Sequence, residues 1–223
     1  MKITPYSDRD MMAIDVANQI ADELAEALHH EKRVCLAVPG GTTPGPVFDA
    51  LCAADIDWAR VDVVPTDERW VEEDSPRSNA RLIKDRLLVD RAAKARFLPL
   101  YTPAHEPEEV LAELESMIAP ELPLAVAILG MGDDMHTASL FPGADGLEEA
   151  LAAKAPILVP IRRADLEETR LSLSARILDG ALSKHVLITG AQKRNAIEAA
   201  RHLPPQEAPI RVILQDAKIH WSE

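Results

Sequence analysis

The segment Gly130–Gly143 reads GMGDDMHTASLFPG and concentrates the residue types that move protons. An unperturbed imidazole titrates near neutrality, so His136 is the strongest candidate general base in the chain's loops. Asp134 stands two positions earlier. Residues i and i+2 do not face one another on a helix, but at a turn they can, and the carboxylate would then orient the ring. Gly130 and Gly132 allow the backbone to turn sharply or to approach a ligand. The competing account is a strand-to-helix turn in which Asp133 or Asp134 caps the helix and His136 is a surface residue. Ser139 as a nucleophile is the weaker chemical option, because no Gly-x-Ser-x-Gly elbow surrounds it.

Three other segments carry groups suited to an anion. In PGGTTPG (Pro39–Gly45), Gly40 and Gly41 can adopt positive φ and present backbone N–H groups, Thr42 and Thr43 add hydroxyls, and Pro44 suits the start of a helix. This is a phosphate cradle in character, although it matches neither a P-loop nor a dinucleotide fingerprint. In PTDERWV (Pro65–Val71), Arg69 has the planar fork that clamps a phosphate or carboxylate. In ITGAQK (Ile188–Lys193), Lys193 falls in the first turn of a helix, where a cation opposes the helix dipole unless an anion is bound nearby. Arg170, in TRLSLS, enters a strand either paired structurally or pointing into the same site. For each of these the plain alternative is a solvated or salt-bridged turn.

The elements that must position these groups are legible in the hydrophobic pattern. Met12, Val16, Ile20, Leu24 and Leu28 recur every four residues behind a capping-box variant at Ser7–Asp10, which predicts a helix ending near His30. Apolar runs at 33–38, 61–66, 95–101, 122–130, 155–161, 169–174, 183–190 and 210–215 predict strands. Segments 46–54, 78–88, 106–118 and 191–203 predict the helices between them, with Ser78 or Asn79 as a cap and Pro107 in a first turn. Segment 142–151 has no period. Alternating strands and helices give an α/β class of Rossmann-like type: a mostly parallel sheet with helices on both faces. In such sheets ligands bind beyond the carboxyl ends of strands, which is where all four segments fall.

The bulk properties bound the function. A chain of 223 residues without repeats or a long linker is expected to form one domain, 1–223. Hydrophobic residues make up 47% and aromatics 4%, so the core must be mainly aliphatic, as suits helices packed on a sheet. The net charge of −13 disfavours nucleic acid and anionic membrane surfaces as partners, while leaving room for an anionic small molecule held by clustered Arg and Lys. Cys35 and Cys52 lie in apolar stretches and read as reduced core residues with no metal-ligand spacing. The N-terminus lacks a signal peptide's apolar core and no apolar run reaches about 18 residues, so a cytoplasmic location is expected.

In order along the chain, Pro-Gly-Gly-Thr-Thr-Pro at 39–44, Asp-Glu-Arg-Trp-Val at 67–71, Ser-Asn at 78–79, the whole of 130–143, Arg170 and Gly-Ala-Gln-Lys at 190–193 resemble the signature set of the 6-phosphogluconolactonases. The resemblance implies a metal-independent, cofactor-free cytoplasmic hydrolase of the oxidative pentose phosphate pathway, acting on a phosphorylated sugar lactone as a monomer or weak homodimer. It implies His136 as general base with Asp134 as its acid partner, and Gly40, Gly41, Thr42, Arg69 and Lys193 as the substrate- and phosphate-binding set, joined by Arg170. The family commonly has Gly immediately before the His; this chain has Met135, which would be strained if that position needed positive φ. Glucosamine-6-phosphate deaminases share the glycine turn but carry Asn-Glu-Pro where this chain has Leu140-Phe141-Pro142, and the missing acid argues against that reaction. A non-catalytic sugar-phosphate sensor would have lost His136 or Asp134, and neither is lost.

Overall fold

In the computed structural model, which describes residues 2–223, the alternation of apolar runs resolves into ten strands, seven α-helices and several short 3-10 turns among the described residues. They follow in the order β1 (Lys2–Pro5), α1 (Arg9–His30), β2 (Val34–Val38), α2 (Gly45–Leu51), β3 (Val61–Pro65), β4 (Asp67–Arg69), α3 (Asn79–Arg86), β5 (Arg96–Phe97), α4 (Leu111–Ile118), β6 (Val126–Gly130), α5 (Leu147–Leu151), β7 (Leu158–Ile161), β8 (Arg170–Leu173), α6 (Ala175–Asp179), β9 (Ser183–Thr189), α7 (Ala191–Ala200) and β10 (Lys218–Ser222). Seven strands form one sheet in the order β1-β10-β9-β6-β2-β3-β5, with every pairing parallel. The mostly parallel α/β architecture read from the sequence is therefore the observed one.

Both faces of the sheet are buried, and the side-chain period of two divides each central strand between two cores. On β2, Val34, Leu36 and Val38 join one cluster, while Cys35 and Ala37 join the other. On β6, Val126 and Ile128 face the first cluster, and Ala127 and Leu129 face the second. The first core is closed by the predicted stripe of α1, with Met12, Val16, Ile20, Leu24 and Leu28 all buried, and by Val47, Phe48 and Leu51 of α2 and Ile83 of α3. The second is closed by Leu114 and Ile118 of α4, Ile177 and Leu178 of α6, and Ile197 and Ala200 of α7. The cap of α1 is Asp8, whose carboxylate accepts from Met11 N at 2.8 Å; Ser78 caps α3 by accepting from Arg81 N at 3.2 Å.

Several boundaries differ from the sequence reading. The run at 210–215 is a 3-10 turn, Pro209–Ile213, because Ile210, Ile213 and Leu214 are buried at helical spacing and Pro209 opens the turn. The last strand is instead β10, and β1 was unforeseen: a four-residue edge strand of polar composition carries little periodic signal. The predicted strands at 95–101 and 122–130 shorten to β5 and β6, and the predicted helix at 106–118 breaks into a 3-10 turn, Pro107–Glu109, followed by α4. The loosest stretch contains α5, entered through Gly146 at φ +91°.

One departure positions the site. β4, β8 and β7 form a separate three-stranded antiparallel sheet, so PTDERWV is partly strand and TRLSLS does not join the main sheet. It packs Leu158, Val159, Ile161, Leu171 and Leu173 into the second core. It thereby holds Arg69 and Arg170 beyond the carboxyl ends of the parallel strands.

Candidate active site

β2 and β6 are neighbours at the point where the sheet order reverses: after β2 the chain builds outward through β3 to β5, and from β6 it builds the other way through β9 and β10. A ligand crevice belongs at the carboxyl ends there. The structure has a cavity of about 430 Å³ at that place, within the range of small-molecule sites. Its wall includes Gly40, Gly41 and Thr42 after β2, Arg69 on β4, Gly130, Gly132 and His136 after β6, Arg170 on β8 and Lys193 on α7. Nine of the ten groups singled out by sequence position, counting the glycines around His136, thus share one wall; Asp134 stands behind His136 rather than on it.

The segment after β6 does not lead into a helix, which removes the account of Asp133 or Asp134 as a helix cap. It folds instead as two successive tight turns. Met135 N donates to Gly132 O and Gly132 N to His136 O, both at 3.0 Å, which closes the first; Leu140 N donates to Thr137 O at 3.0 Å to close the second. The first turn brings Asp134 Oδ1 into a short hydrogen bond with His136 Nδ1. Asp134 is partly buried, which alone would raise its pKa, but the bond and charge of His136, helped by Arg163, bring it below the usual carboxylate range. An ionised Asp134 accepts, so Nδ1–H donates, which leaves Nε2 as the atom that exchanges a proton with a ligand. Gly132 is required by contact: a Cβ there would overlap the imidazole and Asp134 Oδ1.

Opposite His136, the antiparallel register sets Arg69 directly across from Arg170. Like charges directly opposite across strands destabilise a sheet. Arg170 is 7% exposed, and burial first, then repulsion from Arg69, lowers its guanidinium pKa. Arg69 Nη1 donates to Arg77 O at 2.5 Å, yet Nε of Arg69 and Nε of Arg170 are both buried without a partner. Two arginines with buried, unpartnered Nε donors thus share the wall with Lys193, a concentration of positive charge and free donors that suits an anion.

The family model described as glucosamine-6-phosphate isomerases/6-phosphogluconolactonase matches residues 7–221. The chain belongs to that family. A 6-phosphogluconolactonase of Mesorhizobium japonicum is 43% identical over 97% of this chain and 93% of its own length, and one of Pseudomonas aeruginosa is 38% identical over 92% and 88%. The crystal structure of a 6-phosphogluconolactonase from Shewanella baltica superposes with a TM-score of 0.95 at 30% identity, covering 99% of this chain and 97% of that one.

Against the family pattern, Met135 takes φ +63°. The position does need the left-handed region, so an ordinary backbone at this turn is excluded. A non-glycine residue there costs about 1–2 kcal/mol. Met135 offsets part of that by packing against the second core, and its carbonyl accepts from Ile210 N at 3.0 Å.

Sequence reasoning gave no site role to several other residues around this cavity. Asp67 and Asn79 line the cavity. Asn79 Nδ2 donates to Asp67 O at 2.8 Å, and its amide fills the space that a Cβ on Gly40 would need. Glu68 is a brace: fully buried, it accepts from the backbone N–H groups of Arg69, Asn79 and Ala80 at 2.7–2.8 Å, tying the arginine strand to the start of α3. Ser139 is fully buried and donates to Asp67 Oδ2 at 2.5 Å, so it is a support for Asp67 and not a nucleophile. The signal available in the sequence was the acid-rich DER run itself; its long-range partners were not readable from it.

Proposed function

We propose that this protein hydrolyses 6-phospho-D-glucono-1,5-lactone to 6-phospho-D-gluconate, with His136 as general base, and serves the oxidative pentose phosphate pathway in the cytoplasm. The observation that carries the reading is the pairing, on one cavity wall, of an Asp-held imidazole with two cross-strand arginines whose buried Nε donors lack partners. The first supplies proton transfer and the second supplies an anion anchor. Family membership supports the same conclusion.

The lactone's phosphate binds between Arg69, Arg170 and Lys193, which fixes the ring so that C1 faces His136. Neutral His136 takes a proton through Nε2 from a water as its oxygen bonds to C1, and Asp134 stabilises the resulting imidazolium. Negative charge moves to the former carbonyl oxygen, where free backbone N–H groups of the glycine turns suit the oxyanion. Collapse of the intermediate breaks the bond from C1 to the ring oxygen, which takes the proton back from His136. The new carboxylic acid ionises, and His136 is again neutral. Phe141 packs its ring against the imidazole, with centroids 4.4 Å apart, where an isomerising enzyme would want an acid.

The lactone also opens spontaneously, so the test is the rate above background with enzyme present, run beside glucosamine 6-phosphate. Lactone hydrolysis well above background with no ammonia from the amino sugar is the expected result. Release of ammonia without lactone hydrolysis would overturn the reading.

A further inference from the structure

Arg163 was not singled out by its sequence context, and it is not on the cavity wall. It nonetheless touches the parts that set the aim of His136. Its Nη1 donates to Asp134 Oδ2 at 3.3 Å, leaving Oδ1 for His136. Its guanidinium carbon stands 4.7 Å over the Phe141 ring, and Phe141 also packs against His136. The guanidinium is itself held by a fork onto Asp165, from Nε at 2.6 Å and Nη2 at 3.0 Å, which orients its plane. Asp134 is thereby restrained through both oxygens, and the imidazole through its carboxylate partner and its aromatic neighbour.

We infer that Arg163 is a positioning residue for His136, acting through Asp134 and Phe141 without touching substrate. The inference rests on His136 being the base. Two consequences distinguish it from a loop staple. Removing Arg163 frees Asp134 to turn, which lowers turnover without weakening phosphate binding. It also removes a cation that draws on the Asp134 charge, so the imidazole holds its proton more tightly.

The experiment compares the native protein with Arg163→Met, which keeps the apolar stem over Phe141 but drops the charge, and Arg163→Lys, which keeps the charge. The side chain is a quarter exposed on a loop, and thermal melting confirms that both variants fold. For Arg163→Met, kcat falls about tenfold, part of the ~10²-fold cost of a misplaced catalytic group, while KM stays within about twofold. The acid limb of kcat/KM moves to higher pH, and the His136 resonances in an NMR titration move the same way. Arg163→Lys recovers most of the loss and lies between the two in every readout. Unchanged kcat, acid limb and His136 titration in Arg163→Met would overturn the inference, as would a raised KM with intact kcat. If the native protein does not hydrolyse the lactone but the NMR titration still shifts, the functional reading fails and the Arg163–Asp134–His136 coupling stands.

Discussion

Asp134 and His136 meet because Met135, between them, turns through the left-handed region at φ +63°. Glycine accepts that conformation without a steric cost. Met135→Gly should therefore keep the turn and hold kcat within about threefold, because the residue contributes packing and not chemistry. Asp134→Asn removes the charge that balances the imidazolium and permits the wrong ring tautomer, so kcat should fall by about 10²-fold or more with KM nearly unchanged. Steady-state kinetics on both variants checks these outcomes. At this scale the sequence was most readable: His136, Arg69, Arg170 and Lys193 are polar groups at strand ends, and a single residue type in the right place announces itself. Arg163, Asn79 and Asp67 did not, because their roles come from contacts such as Asp67 to Ser139 or Arg163 to Asp134, which only the folded chain brings together.

The β4–β8 pairing is the element that holds a destabilising arrangement in place. Its register sets Arg69 against Arg170 with neither Nε satisfied. Arg170→Met should raise the stability of the ligand-free protein by about 1 kcal/mol, since it replaces a buried like-charge contact with packing. Inorganic phosphate should raise the melting temperature of the native protein, since binding to the folded state alone adds stability, and the same change should abolish that rise. A melting series with and without phosphate reads both effects. The parallel strands β2, β3, β6 and β9 were legible because each is a largely apolar run bounded by turn residues, whereas the more polar β1 and β10 were not foreseen. This second sheet was not, because TRLSLS alternates polar and apolar residues in a way that gives a strand without saying which sheet it joins, and DER is charged throughout and carries no strand period.

Across the whole molecule, α1, β9, β10 and Tyr6 just after β1 are tied by a polar cluster around the buried His185 and His220, none of whose members is on the cavity wall. His185 Nε2 meets Glu23 Oε2 at 2.8 Å, His185 Nδ1 meets His220 Nε2 at 3.0 Å, and His220 Nδ1 meets the Tyr6 hydroxyl at 2.9 Å. Burial, then the neighbouring His185, pushes His220 down to about 4 from 6.5. Glu23 is brought down to about 2 from 4.5: burial raises it, and His185 with Lys218 outweigh that. The unfolded chain therefore binds more protons than the folded one as pH falls from about 6.5 to about 4 through His220, and from about 4.5 to about 2 through Glu23. Stability should fall in both windows, and a urea midpoint followed against pH should lose its upper slope in His220→Gln. None of this cluster was read from the sequence, since a histidine in an apolar strand carries no mark of its partner. The central claim concerns His136 and the anion site as separable parts of one cavity, and His136→Ala tests it most directly, assayed for lactone hydrolysis above background alongside calorimetric binding of 6-phosphogluconate. Loss of the enzymatic rate with binding retained is the predicted result; a variant that hydrolyses the lactone as fast as the native protein would contradict it.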